Sequence, residues 1–153
     1  MNEKQRIVDQ LERAYRGKAW HGPALKEVLR DVTARQAFRR PVPGAHTIAE
    51  LVLHIAVWIE LPVGALVGQP MPEPTPEIDW PAPPAATART WRLALQRLDA
   101  AHRLLVSRLR RFPERRLSAI VPGRKYNFYF LLPGIIQHNL YHAGQIALLK
   151  RGR

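Results

Sequence analysis

Apolar residues recur along this chain at steps of three and four, the spacing of one helix face, in several separate stretches. In residues 2–16 they are Ile7, Val8, Leu11 and Tyr15, and the run stops at Gly17. Gly22-Pro23 opens a short second run over 23–33, because the first helical turn does not need the N–H that proline lacks. The prolines and glycine of 39–46 mark a loop. Thr47-Ile-Ala-Glu50 then carries a reciprocal cap, in which the Thr hydroxyl accepts from the N–H three residues on and Glu50 reaches back. The helix it starts is expected to run to about Gly68, with a bend near Pro62.

Residues 69–86 hold seven prolines and read as a long connector with Trp80 inside it. Helical spacing returns from Thr87 to Phe112 and ends before Pro113. A turn at Pro122-Gly123 follows, preceded by a Leu117–Val121 stretch that reads as extended. The last helix is expected to begin between Asn127 and Pro133 and to reach about Lys150, with Gly152 as its stop. Four main helices and one long connection predict an all-α, single-domain chain over 1–153, a four-helix bundle. Eighteen connector residues can run the length of such a bundle, so the topology is expected to be up-down-down-up.

The core-facing seams sharpen the picture. Alternating steps of four and three give Thr47, Leu51, His54, Trp58, Leu61 and Ala65 in the second long helix. In the last helix they give Phe128, Leu131, Ile135, His138, His142, Gln145 and Leu149. Histidines interrupt both seams. His54 lies about 10 Å into its helix and His142 about 12 Å from the end of its own, at 1.5 Å per residue. If the two helices are antiparallel, the three rings meet at one level. Histidines four apart on one helix face can share a metal, and a third from a facing helix completes a three-nitrogen site. His54, His138 and His142 are therefore the candidate ligands of a divalent cation, and the catalytic residues stay unassigned. Glu50, Asn139, Gln145 or a helical carbonyl are candidate acceptors for the outer ring nitrogens. Trp58, Tyr141, His21 and His102 are candidates to line the pocket. For His102 the competing reading is a core histidine, for Trp20-His21 a hydrophobic plug, and for His46 loop or capping chemistry.

Composition narrows the chemistry. Apolar residues make up 46% of the 153, enough for one continuous core. Cysteine is absent, which excludes disulfides, thiolate metal ligands and cysteine nucleophiles. The charged N-terminus lacks the apolar run of a signal peptide, and the apolar stretch Ile48–Gly68 carries Glu50, His54 and Glu60. A cytoplasmic protein without membrane insertion is the expectation. The net charge of +12 is concentrated between Arg89 and Lys125, where eleven basic residues face Asp99 and Glu114. Nucleic acid or another polyanion on the third long helix is thus an alternative partner, although no basic-aromatic motif of a nucleic-acid module accompanies it. His138 is followed by Asn139, so the zinc-protease pattern with a glutamate base is absent.

Three segments carry a family resemblance: Trp20-His-Gly-Pro-Ala-Leu25, His46-Thr-Ile-Ala-Glu-Leu-Val-Leu-His54, and above all Gln137-His-Asn-Leu-Tyr-His-Ala-Gly-Gln-Ile146. Together they resemble the DinB superfamily, which includes the YfiT-type metal-dependent enzymes. The resemblance implies an up-down-down-up four-helix bundle and a three-histidine site for nickel, zinc or a similar dication. By motif, its ligands fall on His54, His138 and His142. It also implies a homodimer and a small-molecule substrate, with hydrolase or low-molecular-weight-thiol transferase activity. A structural dimer stabilised by metal is the further alternative. Pro62 and Pro133 depart from the pattern, without touching a ligand.

Overall fold

Side-chain caps decide where the helices begin. In the computed structural model, which describes residues 1–152, Asn2, Thr33, Thr47, Thr87 and Asn127 each accept a backbone N–H at a helix start. These residues open α1 (Glu3–Arg16), α3 (Ala34–Phe38), α4 (Ile48–Ala65), α6 (Ala88–Arg111) and α7 (Phe128–Arg151). Two shorter helices complete the set, α2 (Leu25–Leu29) and α5 (Pro76–Asp79), and Glu114–Arg116 form a single 3₁₀ turn. No strand occurs among the described residues, so the all-α expectation holds.

At Thr47 the reciprocal cap forms as the spacing predicts: the Glu50 N–H donates to Thr47 Oγ1 at 3.2 Å and the Thr47 N–H to Glu50 Oε2 at 2.6 Å. Thr47→Ala removes the first of these bonds and is expected to lower stability by about 1 kcal/mol. In a chain of this size that is a fall of about 2–4 °C in Tm. A thermal melt unchanged by the substitution would show that the cap is not a determinant of this helix.

The four long helices form the core. α4 packs on α6 and α7, and α1 packs on the same two. Lys4 Nζ donates to the carbonyls of Arg110 and Phe112, both at 3.0 Å, while the Tyr15 hydroxyl meets Asp99 Oδ1 at 3.2 Å. The start of α1 therefore lies at the end of α6, and these two helices run in opposite directions. α4 is buried on nearly every side from Ile48 to Ile59. A helix apolar all round belongs in the middle of its fold, and α4, long and apolar enough to cross a membrane, is mostly buried among its neighbours.

Two expectations need adjustment, the length of the run over 23–33 and the extended reading of 117–121. The short run over 23–33 ends early at Leu29, and Thr33 caps a separate helix, α3, in the stretch between that run and the loop over 39–46. Pro62 and Pro133 both sit within unbroken helices. Each removes one ladder bond, to the carbonyls of Trp58 and Tyr129, but the Asn127 cap and burial of Phe128 against Phe112 fix the start of α7 well before Pro133. The stretch 117–121 forms turns and one isolated bridge, between Ile120 and Asn127. Gly123, at φ +80°, lets this turn close on the connector: a Cβ there would come within 3.1 Å of the Met71 carbonyl, and the Met71 N–H donates to Pro122.

Candidate metal centre

The two helices that carry the seam histidines pack against each other, and their rings converge. His138 Nε2 lies 3.0 Å from His54 Nε2 and 3.1 Å from His142 Nε2. One nitrogen from each ring falls within 4.8 Å of the others. His54 and His142 are each only 5% exposed, and His138 is half-buried.

The outer nitrogens decide what the inner ones can do. A carbonyl oxygen only accepts, so His54 Nδ1, 2.7 Å from the Asp79 carbonyl, carries the proton. The Asp79 carboxylate stands 3.2 Å from the same nitrogen and accepts from Trp58 Nε1 at 2.6 Å. His142 Nδ1 lies 2.6 Å from Gln145 Oε1 and donates to it. Both rings thus turn bare Nε2 lone pairs toward His138. The third ring cannot satisfy them. A proton on His138 Nε2 is shared between two acceptors and leaves Nδ1, which is buried without a partner among the described residues, as a naked lone pair. A proton on Nδ1 instead makes three lone pairs face one another. In that second state the three inner nitrogens are one cation short, and Nε2 atoms 3.0 and 3.1 Å apart can share an ion at about 2.0–2.1 Å from each. The residues fit a divalent metal.

Titration agrees with the geometry. Burial, and then the neighbouring charges of His142 and His54, push His138 down to about 3. Burial likewise lowers His54 and His142, against the pull of Asp79 on the first and Gln145 on the second. All three rings are therefore neutral at pH 7, the form that ligates metal.

The remaining candidates divide. Gln145 is the acceptor for His142, and the carbonyl on the His54 side comes from Asp79 at the end of α5. Glu50 instead binds Arg40 and the Thr47 cap. The amide of Asn139 is buried without a partner among the described residues. Trp58 packs 5.9 Å from the His138 ring, and Tyr141, largely exposed, lies edge-on to His142 at 5.0 Å. His21 is exposed in its loop. His102 is brought elsewhere: it stacks on Tyr15 at 3.8 Å between α1 and α6, with Nε2 3.3 Å from Glu12, which is the core-histidine reading. Along α6, Arg97, Arg103 and Arg110 are paired with Glu60, Asp99 and Glu12, which tempers the charge offered to a polyanion.

Asp79, Trp80 and His46 are participants that the helical seams do not mark. Trp80 stacks on His54 at 3.8 Å and on His46 at 3.6 Å, each within 5° of parallel, so the connector covers one face of the cluster. The available signal is Thr75-Pro76, which starts α5 as proline does at a first helical position.

Sequence comparison bears on the same residues. No curated protein and no solved structure matches the chain. The family model of the DinB superfamily does, over residues 19–146, a span that holds the capped start of α4 and all three converging histidines. The chain accordingly belongs to the DinB superfamily.

Proposed function

We propose that this protein is a metal-dependent enzyme, a hydrolase or a transferase acting with a low-molecular-weight thiol, and that His54, His138 and His142 hold its dication, zinc or nickel. One observation carries this reading: two imidazoles are locked by Asp79 and Gln145 with bare nitrogens facing a third. We further propose the up-down-down-up arrangement for the bundle. It is supported by α1 opposing α6 and by Lys150, near the end of α7, donating to Val28 in α2, the helix that follows α1 and packs on both α1 and α7.

The dication supplies, when bound, Lewis acidity toward a nucleophile such as water or a thiol. The chain's own residues do the rest. Asp79 and Gln145 hold the tautomers of His54 and His142, and removing such outer partners typically costs about 10–100-fold in metal affinity. Trp80 and His46 shield His54 from water on one face. The Asp79 carboxylate, held by Trp58 Nε1, keeps a negative charge beside His54 Nδ1. Tyr141 and Leu148, exposed two turns apart on α7, support a homodimer.

Metal analysis with a chelator tests the reading. Purified protein is expected to carry close to one zinc or nickel per chain. A metal present at about 1,000 times its Kd adds about 4 kcal/mol of stability, so chelation is expected to lower Tm by roughly 8–16 °C. Turnover of an ester or a thiol conjugate is expected to vanish with the metal and return with it. Protein that binds neither ion, and melts alike with and without chelator, would sink the proposal.

A further inference from the structure

A cavity of about 210 Å³ lies against the cluster, walled by Trp58, Tyr126, Phe130, Leu131, Gly134 and Ile135 and closed on one side by His138. His138 belongs to both the cavity wall and the nitrogen cluster, so a group seated in the cavity has its point of attachment beside the three nitrogens.

Size and charge select the occupant. An engineered apolar cavity of about 150 Å³ holds benzene, so this one has room for a single ring with a small substituent. No acidic or basic side chain other than His138 lines it. A carboxylate or phosphate seated on the far walls, away from His138, would lose its hydration with no cation in return, at a cost of several kcal/mol.

Gly134 shows how the space is kept open. It lies within α7, where glycine costs about 1 kcal/mol against alanine, yet its backbone is not left-handed, and a Cβ built on it meets nothing within 4 Å. Neither backbone conformation nor a close neighbour calls for glycine there. Gly134 lines the cavity, and its missing side chain leaves that stretch of wall bare.

We propose that this cavity seats one uncharged, apolar group of about single-ring size on the molecule that reacts at the histidine cluster. The assignment of a reacting molecule rests on the metal-dependent reading above, whereas occupancy of the cavity does not need the metal.

Fluorobenzene, followed by its fluorine NMR signal, tests this on the full chain after chelator treatment. Saturable binding is expected in the wild type. Gly134→Leu, which adds a bulky side chain to the cavity wall, is expected to weaken it at least tenfold while leaving metal content unchanged. Phe130→Ala serves as the second variant, since Phe130 is 68% exposed and its truncation leaves the core alone; at least threefold weaker binding is expected. Benzenesulfonate, the same ring with a charge, is expected to bind at least tenfold more weakly than fluorobenzene to the wild type. Absence of saturable binding, binding that neither variant alters, or equal binding of the charged ring would each overturn the proposal. A chain that binds fluorobenzene as described but holds no metal would sink the metal-dependent reading and leave the cavity assignment standing. A chain that holds metal but no ring would do the reverse.

Discussion

Replacing His138 by alanine is expected to lower affinity for zinc or nickel by at least about 1,000-fold, beyond the roughly 10–100-fold typical for loss of an outer partner. His138 Nε2 sits between the other two, 3.0 and 3.1 Å away, so its loss leaves His54 and His142 without the nitrogen that joins them. The metal-free fold is expected to survive. The ring is half-buried, and its Nδ1 is an orphan whose burial costs about 1–3 kcal/mol, an expense the substitution removes along with the ring's packing. His102→Ala makes the contrast. That ring is fully buried and stacked on Tyr15, so its removal is expected to lower Tm and leave metal affinity within a factor of two or so. Equilibrium dialysis and thermal melts on both variants separate the roles. Unaltered metal affinity in His138→Ala would mean that the convergence of the three rings serves packing alone.

That contrast also shows what the sequence made legible. Seam position placed His54, His138, His142 and His102 alike on core-facing stripes, and all four are core-facing. Depth along the helix paired the first three, because rise per residue is nearly constant and antiparallel helices convert it into a common level. His102 fell to a different helix pair, α1 with α6, and no periodicity within one helix states which neighbour a stripe will face. Gln145 was visible as a partner for His142 because three residues along a helix is one turn. Asp79 and Trp80 were not, because they reach His54 from a proline-rich connector whose path over α4 is set by tertiary contacts rather than by a repeat. The start of α7 at Phe128 falls inside the window from Asn127 to Pro133 that helical spacing allowed, and the Asn127 cap with the buried Phe128 selects its early end.

Acid is expected to destabilise the metal-free protein well above the range in which its carboxylates titrate. His138 is pushed down to about 3 in the folded chain, and burial lowers His54, His142 and His102 as well, whereas an unfolded histidine titrates near 6.5. Below about pH 6.5 the unfolded chain therefore binds protons that the folded chain refuses. The stability these rings contribute is complete above that pH and is lost as pH falls, because stability rises with pH wherever the unfolded state holds more protons. The limit is about 1.4 kcal/mol per pH unit for each ring, so His138 alone accounts for about 1.4 kcal/mol between pH 7.5 and 5.5, and the other three add to it. Glu12, Glu50 and Asp99 are held below the ordinary carboxylate range by their partners, after the opposing effect of burial, so their contributions are lost only in stronger acid. Urea midpoints of chelator-treated protein are expected to fall accordingly between pH 7.5 and 5.5. The same titration on His138→Ala is expected to lose one proton's worth of slope. Equal slopes in wild type and variant would mean that His138 accepts a proton freely in the folded state, and that the crowding of three neutral rings around one centre is not the arrangement the protein maintains in water.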